Sequence, residues 1–541
     1  MNNRSYNILF HLHTISGIII SAGLFVIFFT GSFSFFRDEI ANWQKEEYTQ
    51  PGDQGIKSNL DPIMDSLSKN YILYGRDIEI GRHYNERRVD INMTASKDSL
   101  ASEQAKLGSF FYLDTDTFDT YSYLESYTLG EFLYRLHFFA QIPYPYGYYT
   151  SGLVSFFFLF AIITGILVHW NKIVSNFYTF RPRAKLKTIW TDAHTALGVI
   201  GLPFQFVYAV TGAFFMLNVL MAAPNIMFLF EGSQQKLYNE LEMSETPPPL
   251  AYEKLDQIPS IEGFAQQARD KWQNINLTHL HIYNYGDRSM RVTVEGELPK
   301  NDKYTGTAIL SFDAGSGAIL AEKDPYKENT YLDGVKNFLY RIHYGDYAGY
   351  GLRIISFVLG LISCFVILSG VLIWLVAREK KSVAERKRRF NRALVNIYVS
   401  VCLTLYPITA LSFIAVKIQG EVDKSFVNDF YFISWLLLSL FFIWRKDNYF
   451  TNKYCLLLGS AIGFIVPLVN GIVSGNWFWL SVNEQLFQSF FIDMLWIVLS
   501  IVSLWVFFKL KRKDDSTHDQ KVQKHSKKPV HARIENAEVV S

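Results

Sequence analysis

Four histidines recur at matching places in this chain of 541 residues. His13 opens one apolar run and His194 opens another, and in each a threonine follows seventeen residues on, Thr30 and Thr211. A glycine also follows each histidine by four residues, Gly17 and Gly198. The other two histidines close a longer match. The segment EFLYRLH, ending at His137, returns as NFLYRIH, ending at His343. Each copy leads through a Tyr/Gly-rich loop into an apolar run that ends in TGILVHW or SGVLIW. At about 1.5 Å rise per residue, seventeen helical residues cover roughly 25 Å, most of a bilayer's apolar thickness. Ionisable side chains at or inside a bilayer are costly and usually mark function. Two neutral imidazoles from neighbouring helices can supply both axial positions of a haem iron, and a four-helix interior can hold the macrocycle. The repeat pairs His13 with His194 and His137 with His343, one pair near each face. A single interfacial histidine more often caps a helix or snorkels. Four at repeated positions favour ligation.

Other residues enter around these pairs. His169 has no counterpart, because Ile373 stands before Trp374 where His169 stands before Trp170; it is a candidate substitute ligand or a contact at the haem edge. His11 lies on another helix face from His13 and reads as interfacial. Arg135 and Arg341 each precede a histidine of the second pair by two residues, and a guanidinium suits a haem propionate; an interfacial anchor is the equal alternative. Trp170 and Trp374 read as aromatic-belt anchors. His279 and His281 form an HxH that would share one face of a strand, but without a third ligand a solvated face is favoured. The Thr-Gly and Ser-Gly pairs suggest close helix packing or room for a macrocycle. Asp429, Glu484 and Asp493 fall near the ends of further apolar runs, where they would relay protons, meet quinol, or do neither.

The elements that must position these residues are membrane helices. Eight apolar runs are long enough to cross a bilayer: 14–36, 148–170, 194–220, 354–377, 394–416, 425–444, 454–474 and 485–508. Basic segments follow every second run, so the positive-inside rule puts both termini in the cytoplasm. Four plus four is the natural division. Two polar segments, 37–130 and 221–335, then lie outside, and each shows a polar helix followed by short alternating strands, an α+β pattern. Residues 511–541 read as a disordered cytoplasmic tail.

Composition narrows the chemistry. The chain is 49% hydrophobic and 16% aromatic, and its three cysteines lie in apolar runs without CxxC or CxxCH spacing. Covalent c-type haem and Cys-ligated clusters are therefore not expected. No Gly-rich dinucleotide fingerprint follows a strand, so electrons would come from a separate donor, a quinol or a cytoplasmic reductase. The basic clusters are explained by topology, with no sign of nucleic-acid binding.

Together LHTISG, YRLH, TGILVHW, FRPR, DAHTALG, YRIHYGD and SGVLIW resemble the PepSY-associated transmembrane proteins, over roughly residues 5 to 380. That family consists of bacterial inner-membrane proteins, often iron-regulated, and some members resemble ferric-siderophore reductases carrying b-type haem. The resemblance implies a mainly α membrane protein whose duplicated helix pairs form a four-helix haem-binding core. The order is a first span (1–36), an external PepSY-like module with its His-bearing segment (37–147), two spans around a cytoplasmic basic loop (148–220), a second such module (221–350) and a fourth span (351–380). Four additional helices (390–510) lie outside the resemblance. It implies two non-covalent haems b, membrane lipid around the helices and an external ferric siderophore or other acceptor. Two other classes stay open, a non-enzymatic protein that binds or regulates an external partner and an iron or siderophore permease.

Overall fold

The computed structural model describes residues 2–48, 55–56, 58–82, 86–170, 173–179, 181, 184, 186–240, 247–299, 306–327, 331–480 and 486–510. Glu484 and the tail 511–541 lie outside the described residues. Among the described residues, eight helical spans are long and apolar enough to cross a membrane.

The first is α1 (Asn3–Ser34), started by Asn2, whose side chain accepts the Ser5 N–H at 2.8 Å. Short α2 (Arg37–Lys45) follows, then α3 (Leu60–Asn70), strands β1 (Ile78–Gly81), β2 (Arg88–Met93), β3 (Ser109–Asp114) and β4 (Thr120–Tyr121), and α4 (Leu129–His137). Next come α5 (Tyr146–His169), α6 (Ile173–Phe177) and the long α7 (Leu186–Leu229). The second half repeats the order: α8 (Gln234–Glu240), α9 (Ile261–Lys271), β5 (Asn276–Tyr283), β6 (Arg291–Glu297), β7 (Thr307–Asp313), β8 (Ile319–Lys323), α10 (Tyr331–Tyr344) and α11 (Gly349–Arg378). The remaining helices are α12 (Glu385–Leu403), α13 (Leu405–Gln419), α14 (Lys424–Arg445), α15 (Asn448–Ser474) and α16 (Phe487–Lys509).

The span expected at 394–416 is two helices. Pro407 has no N–H to return to the Leu403 carbonyl, and the chain breaks at Thr404, whose hydroxyl donates to Ser400 O at 2.7 Å. Helix α7, at 44 residues, is roughly 66 Å long and outruns a bilayer on the sheet side.

Helices α1, α5, α7 and α11 close a four-helix bundle, each packed on two neighbours. Small residues permit the approach: a Cβ on Gly212 of α7 would stand 2.8 Å from Ser155 Oγ of α5. Helices α12, α13, α15 and α16 join the bundle through α11 and α2.

Instead of two separate modules, the strands form one antiparallel sheet of eight in the order β4-β3-β2-β1-β5-β6-β7-β8. The first strands of the two halves pair with each other, Ile80 opposite Leu280 and Glu79 opposite His281. Alternation along β5 buries Leu280 and Ile282 in the core under α3 and α9 and turns His279, His281 and Tyr283 to the other face. The sheet is tied to the bundle by buried Arg37 of α2, which bonds Glu86 beside β2 and Glu131 of α4, each at 2.9 Å.

Candidate functional site

The four repeated histidines meet in two pairs. His13 of α1 and His194 of α7 stand with ring centroids 6.5 Å apart, at the end of the bundle away from the sheet. His137 of α4 and His343 of α10 stand 6.2 Å apart at the sheet end. The partner of each is its counterpart in the other half of the chain. Along α1, the level of His13 and the level of Ile27, where His137 attaches, differ by fourteen residues or about 21 Å.

Each histidine is held through Nδ1, three of them by a helix carbonyl. His13 Nδ1 lies 2.8 Å from Ala161 O of α5, His137 Nδ1 2.8 Å from Ile27 O of α1, and His194 Nδ1 2.9 Å from Val366 O of α11. His343 Nδ1 instead meets a hydroxyl, Thr211 Oγ1 of α7, at 2.7 Å. That hydroxyl donates to Val207 O at 2.7 Å, so its lone pair is what receives the imidazole N–H. An oxygen acceptor on Nδ1 fixes the tautomer and leaves Nε2 to serve as a ligand.

The Thr-Gly and Ser-Gly pairs explain how a ring reaches a carbonyl already inside a helix. Ala161, Ile27 and Val366 each lie four residues before Gly165, Gly31 and Gly370. A carbonyl in a helix is covered by the side chain one turn on, and glycine removes that cover. A Cβ at Gly31 would stand 2.5 Å from His137 Nδ1, one at Gly165 3.1 Å from His13 Cε1, and one at Gly370 3.3 Å from His194 Cε1. These glycines and Thr211 belong to the site. Their sequence signal was one small-residue pair for every histidine.

The other expected residues fall as follows. His169, half-buried at the end of α5, lies within electrostatic reach of both His13 and His194, while the ring contact is between those two. His11 is exposed. Arg135 bonds Glu131 at 2.6 Å, and Arg341 bonds Glu297 and, at 3.3 Å, Asp346. Exposed Trp170 fits a belt position, and Trp374 carries the Arg378 guanidinium 4.5 Å above its ring. Asp429 is exposed, whereas Asp493 is fully buried.

A cavity of about 2050 Å³ runs from the sheet down to the second histidine pair. Ile27, Phe28, Phe158 and Phe204 line its bundle half, and His279, His281, Tyr283 and Glu295 line its sheet half. Arg135 and Arg341 both reach it. The HxH therefore faces this cavity, with His281 Nε2 3.6 Å from Glu295 Oε1 and 4.0 Å from Glu79 Oε1. Among the described residues no group of three or more His, Cys, Asp or Glu is placed to hold a bare metal ion.

No curated protein matches the sequence. The PepSY-associated TM region matches it over residues 10–377, a stretch that holds both histidine pairs, the sheet and the four bundle helices. The chain belongs to that family of multi-pass membrane proteins.

Proposed function

We propose that the chain is a di-haem b oxidoreductase that moves electrons across the bacterial inner membrane to an acceptor on the sheet side. The observation that carries this reading is the pairing of the histidines, each with Nδ1 occupied by a neighbouring helix. Two imidazoles that shared one iron would stand with their ring centroids about 6 Å apart. The separations of 6.5 and 6.2 Å suit that. Two imidazoles do not make a site for a bare ion, so the remaining ligands would have to come with the group itself, as a macrocycle's do.

When bound, haem supplies one-electron chemistry at a potential set by its axial ligands and burial. The chain's own residues do the rest. His13 and His194 would hold one group, and His137 and His343 the other. Arg135 and Arg341 reach the cavity wall near the second pair, where each already pairs with carboxylates (Glu131; Glu297 and Asp346) that a propionate would share or displace. Phe28, Phe158 and Phe204 keep the bundle half of the cavity apolar. At about 2050 Å³ the cavity has about twice the upper volume usual for one small-molecule site, which leaves room for a macrocycle and a second molecule.

Basic segments at the ends of the helices away from the sheet support an external sheet and cytoplasmic termini. The donor would be a quinol or a cytoplasmic reductase, and the acceptor ferric iron in a siderophore. One-electron reduction weakens iron's hold on hard oxygen ligands and releases the metal. The test is the optical spectrum of purified protein: a Soret band that shifts on reduction is expected. Its absence after haem-supplemented expression would rule the reading out.

A further inference from the structure

We propose that Asp493 is a proton-exchange site in the C-terminal helices, opening to the sheet side through Tyr48 and Glu46. Asp493 and the helices that carry it lie beyond the matched residues 10–377, whereas Trp43, Glu46 and Tyr48 lie within them, and the proposal does not depend on the haem reading.

Asp493 is fully buried in α16, inside a membrane span. Its Oδ1 accepts the Trp43 indole N–H at 3.0 Å, and its Oδ2 accepts Asn470 Nδ2 of α15 at 2.8 Å. Asn470 Nδ2 also reaches Ser489 Oγ of α16 at 3.1 Å. From α13 comes Lys417, 1% exposed, which donates to Trp43 O at 2.8 Å and pairs with Glu46 at 2.9 Å. Its ammonium lies 4.9 Å from the centre of the Trp43 ring, the same indole whose N–H reaches Asp493. Tyr48, half-buried just beyond α2, brings its hydroxyl towards Ser489 and Asn476. These are the titratable and polar groups that face Asp493 from α2, α13, α15 and α16.

Two effects oppose each other at this carboxyl. Lys417 is shared with Glu46 at 2.9 Å, so a carboxylate at Asp493 adds a negative charge that is only partly compensated within the membrane protein. Yet two N–H donors are aimed at its oxygens, an arrangement that stabilises the charged form. A purely structural acceptor would be served by a neutral amide or hydroxyl without the cost of burying a charge. A carboxyl poised between two states is what proton exchange requires.

The polar surroundings continue inward along one face of α16. Trp496 Nε1 is buried without a hydrogen-bond partner among the described residues, and Tyr406 OH stands by Ser500 and Ser503. Residues 493, 496, 500 and 503 share a helix face and span roughly 15 Å. Such buried polar atoms are the usual partners of internal water. In the step itself one proton adds to Asp493 Oδ2, turning a carboxylate into a carboxylic acid, and later returns to sheet-side water past Ser489 and Tyr48. No electron moves and no covalent bond other than O–H changes.

The experiment is infrared difference spectroscopy of the full chain in lipid, stepped from about pH 5 to about pH 9. Wild type should lose a carboxylic-acid C=O band as the pH rises, and Asp493→Asn should lack that band. Trp43→Phe and Asp493→Glu, which both keep a carboxyl, should retain the band at a changed frequency. The Trp43→Phe band should lie higher, because one donor to the carbonyl is gone. A wild-type difference spectrum that matches that of Asp493→Asn would overturn the proposal. So would a band that neither Trp43→Phe nor Asp493→Glu moves, or a band that responds to sodium at fixed pH and not to pH.

Discussion

Thr211 Oγ1 lies 2.7 Å from His343 Nδ1 while giving its own proton to Val207 O. The hydroxyl is thereby a fixed acceptor, and His343 differs from the other three histidines in that its Nδ1 meets a side chain in place of a helix carbonyl, whereas His194 has Ser369 Oγ at 3.1 Å beside its carbonyl. Thr211→Val keeps the shape and removes the acceptor. Changes of this kind around a ligating histidine typically cost about 10–100-fold in affinity for the bound group. We expect haem retention at the sheet-side pair to fall by that order, with the His13–His194 pair unaffected, as measured by haem transfer to a competing apoprotein.

The glycines make a graded series. A Cβ at Gly31 would press on His137 Nδ1 at 2.5 Å, whereas one at Gly165 would meet His13 Cε1 at 3.1 Å and one at Gly370 would meet His194 Cε1 at 3.3 Å. Gly31→Ala should therefore displace its histidine and empty the sheet-side site. Gly165→Ala and Gly370→Ala should leave the other site largely filled. Haem content per polypeptide, site by site, checks the order.

Much of this arrangement is legible in the sequence because a duplication writes each contact twice. The seventeen-residue interval from His13 to Thr30 and from His194 to Thr211 marks both helices, and the repeated ending at His137 and His343 marks the partner segments. Hydropathy locates the eight spans because lipid imposes a local and lengthy pattern. What is not local was not legible. The joining of two sets of strands into one sheet depends on β1 meeting β5, about two hundred residues away in the chain, and alternation within a strand is silent on its neighbour. That the HxH at His279 and His281 lines a cavity between sheet and bundle is not legible until the bundle is placed opposite the sheet. Asp493 reads as an interfacial acid because Trp43, its hydrogen-bond partner, lies 450 residues earlier.

Within the sheet module, buried Asp287 closes a turn against the segment before α9. Burial works against its carboxylate, but hydrogen bonds from Ser289, the Ala251 N–H and Tyr74 outweigh it and hold the carboxyl below the usual range. A carboxyl depressed on folding contributes stability that is complete above its unfolded value, about 3.9, and lost as the pH falls through the folded value. Asp287→Ala should cost on the order of 3 kcal/mol at neutral pH. The gap in thermal unfolding between wild type and this variant, followed by circular dichroism, should narrow as the pH is lowered to about 3.

Orientation is open to chemical labelling because all three native cysteines are buried. Ser382, exposed beyond the end of α11, should lie in the cytoplasm, and Ser99, exposed beside the sheet, should lie outside. A cysteine placed at Ser99 should react with an impermeant maleimide in intact spheroplasts. One at Ser382 should react only after permeabilisation, and labelling of Ser382→Cys in intact spheroplasts would invert the topology.

The pairing across the duplication is tested most directly by the oxidised and reduced optical spectra of His343→Ala and His194→Ala beside wild type. The rings of His343 and His137 stand 6.2 Å apart at the sheet end, and those of His194 and His13 stand 6.5 Å apart at the other, about 21 Å of helix away. His343→Ala should therefore remove or perturb only the sheet-side haem, and His194→Ala only the other, each leaving one intact haem spectrum in a folded protein. Survival of the inner haem after His194→Ala would make His169 a ligand. Loss of both haems from either stable variant, or of neither from both, would contradict the two-site account.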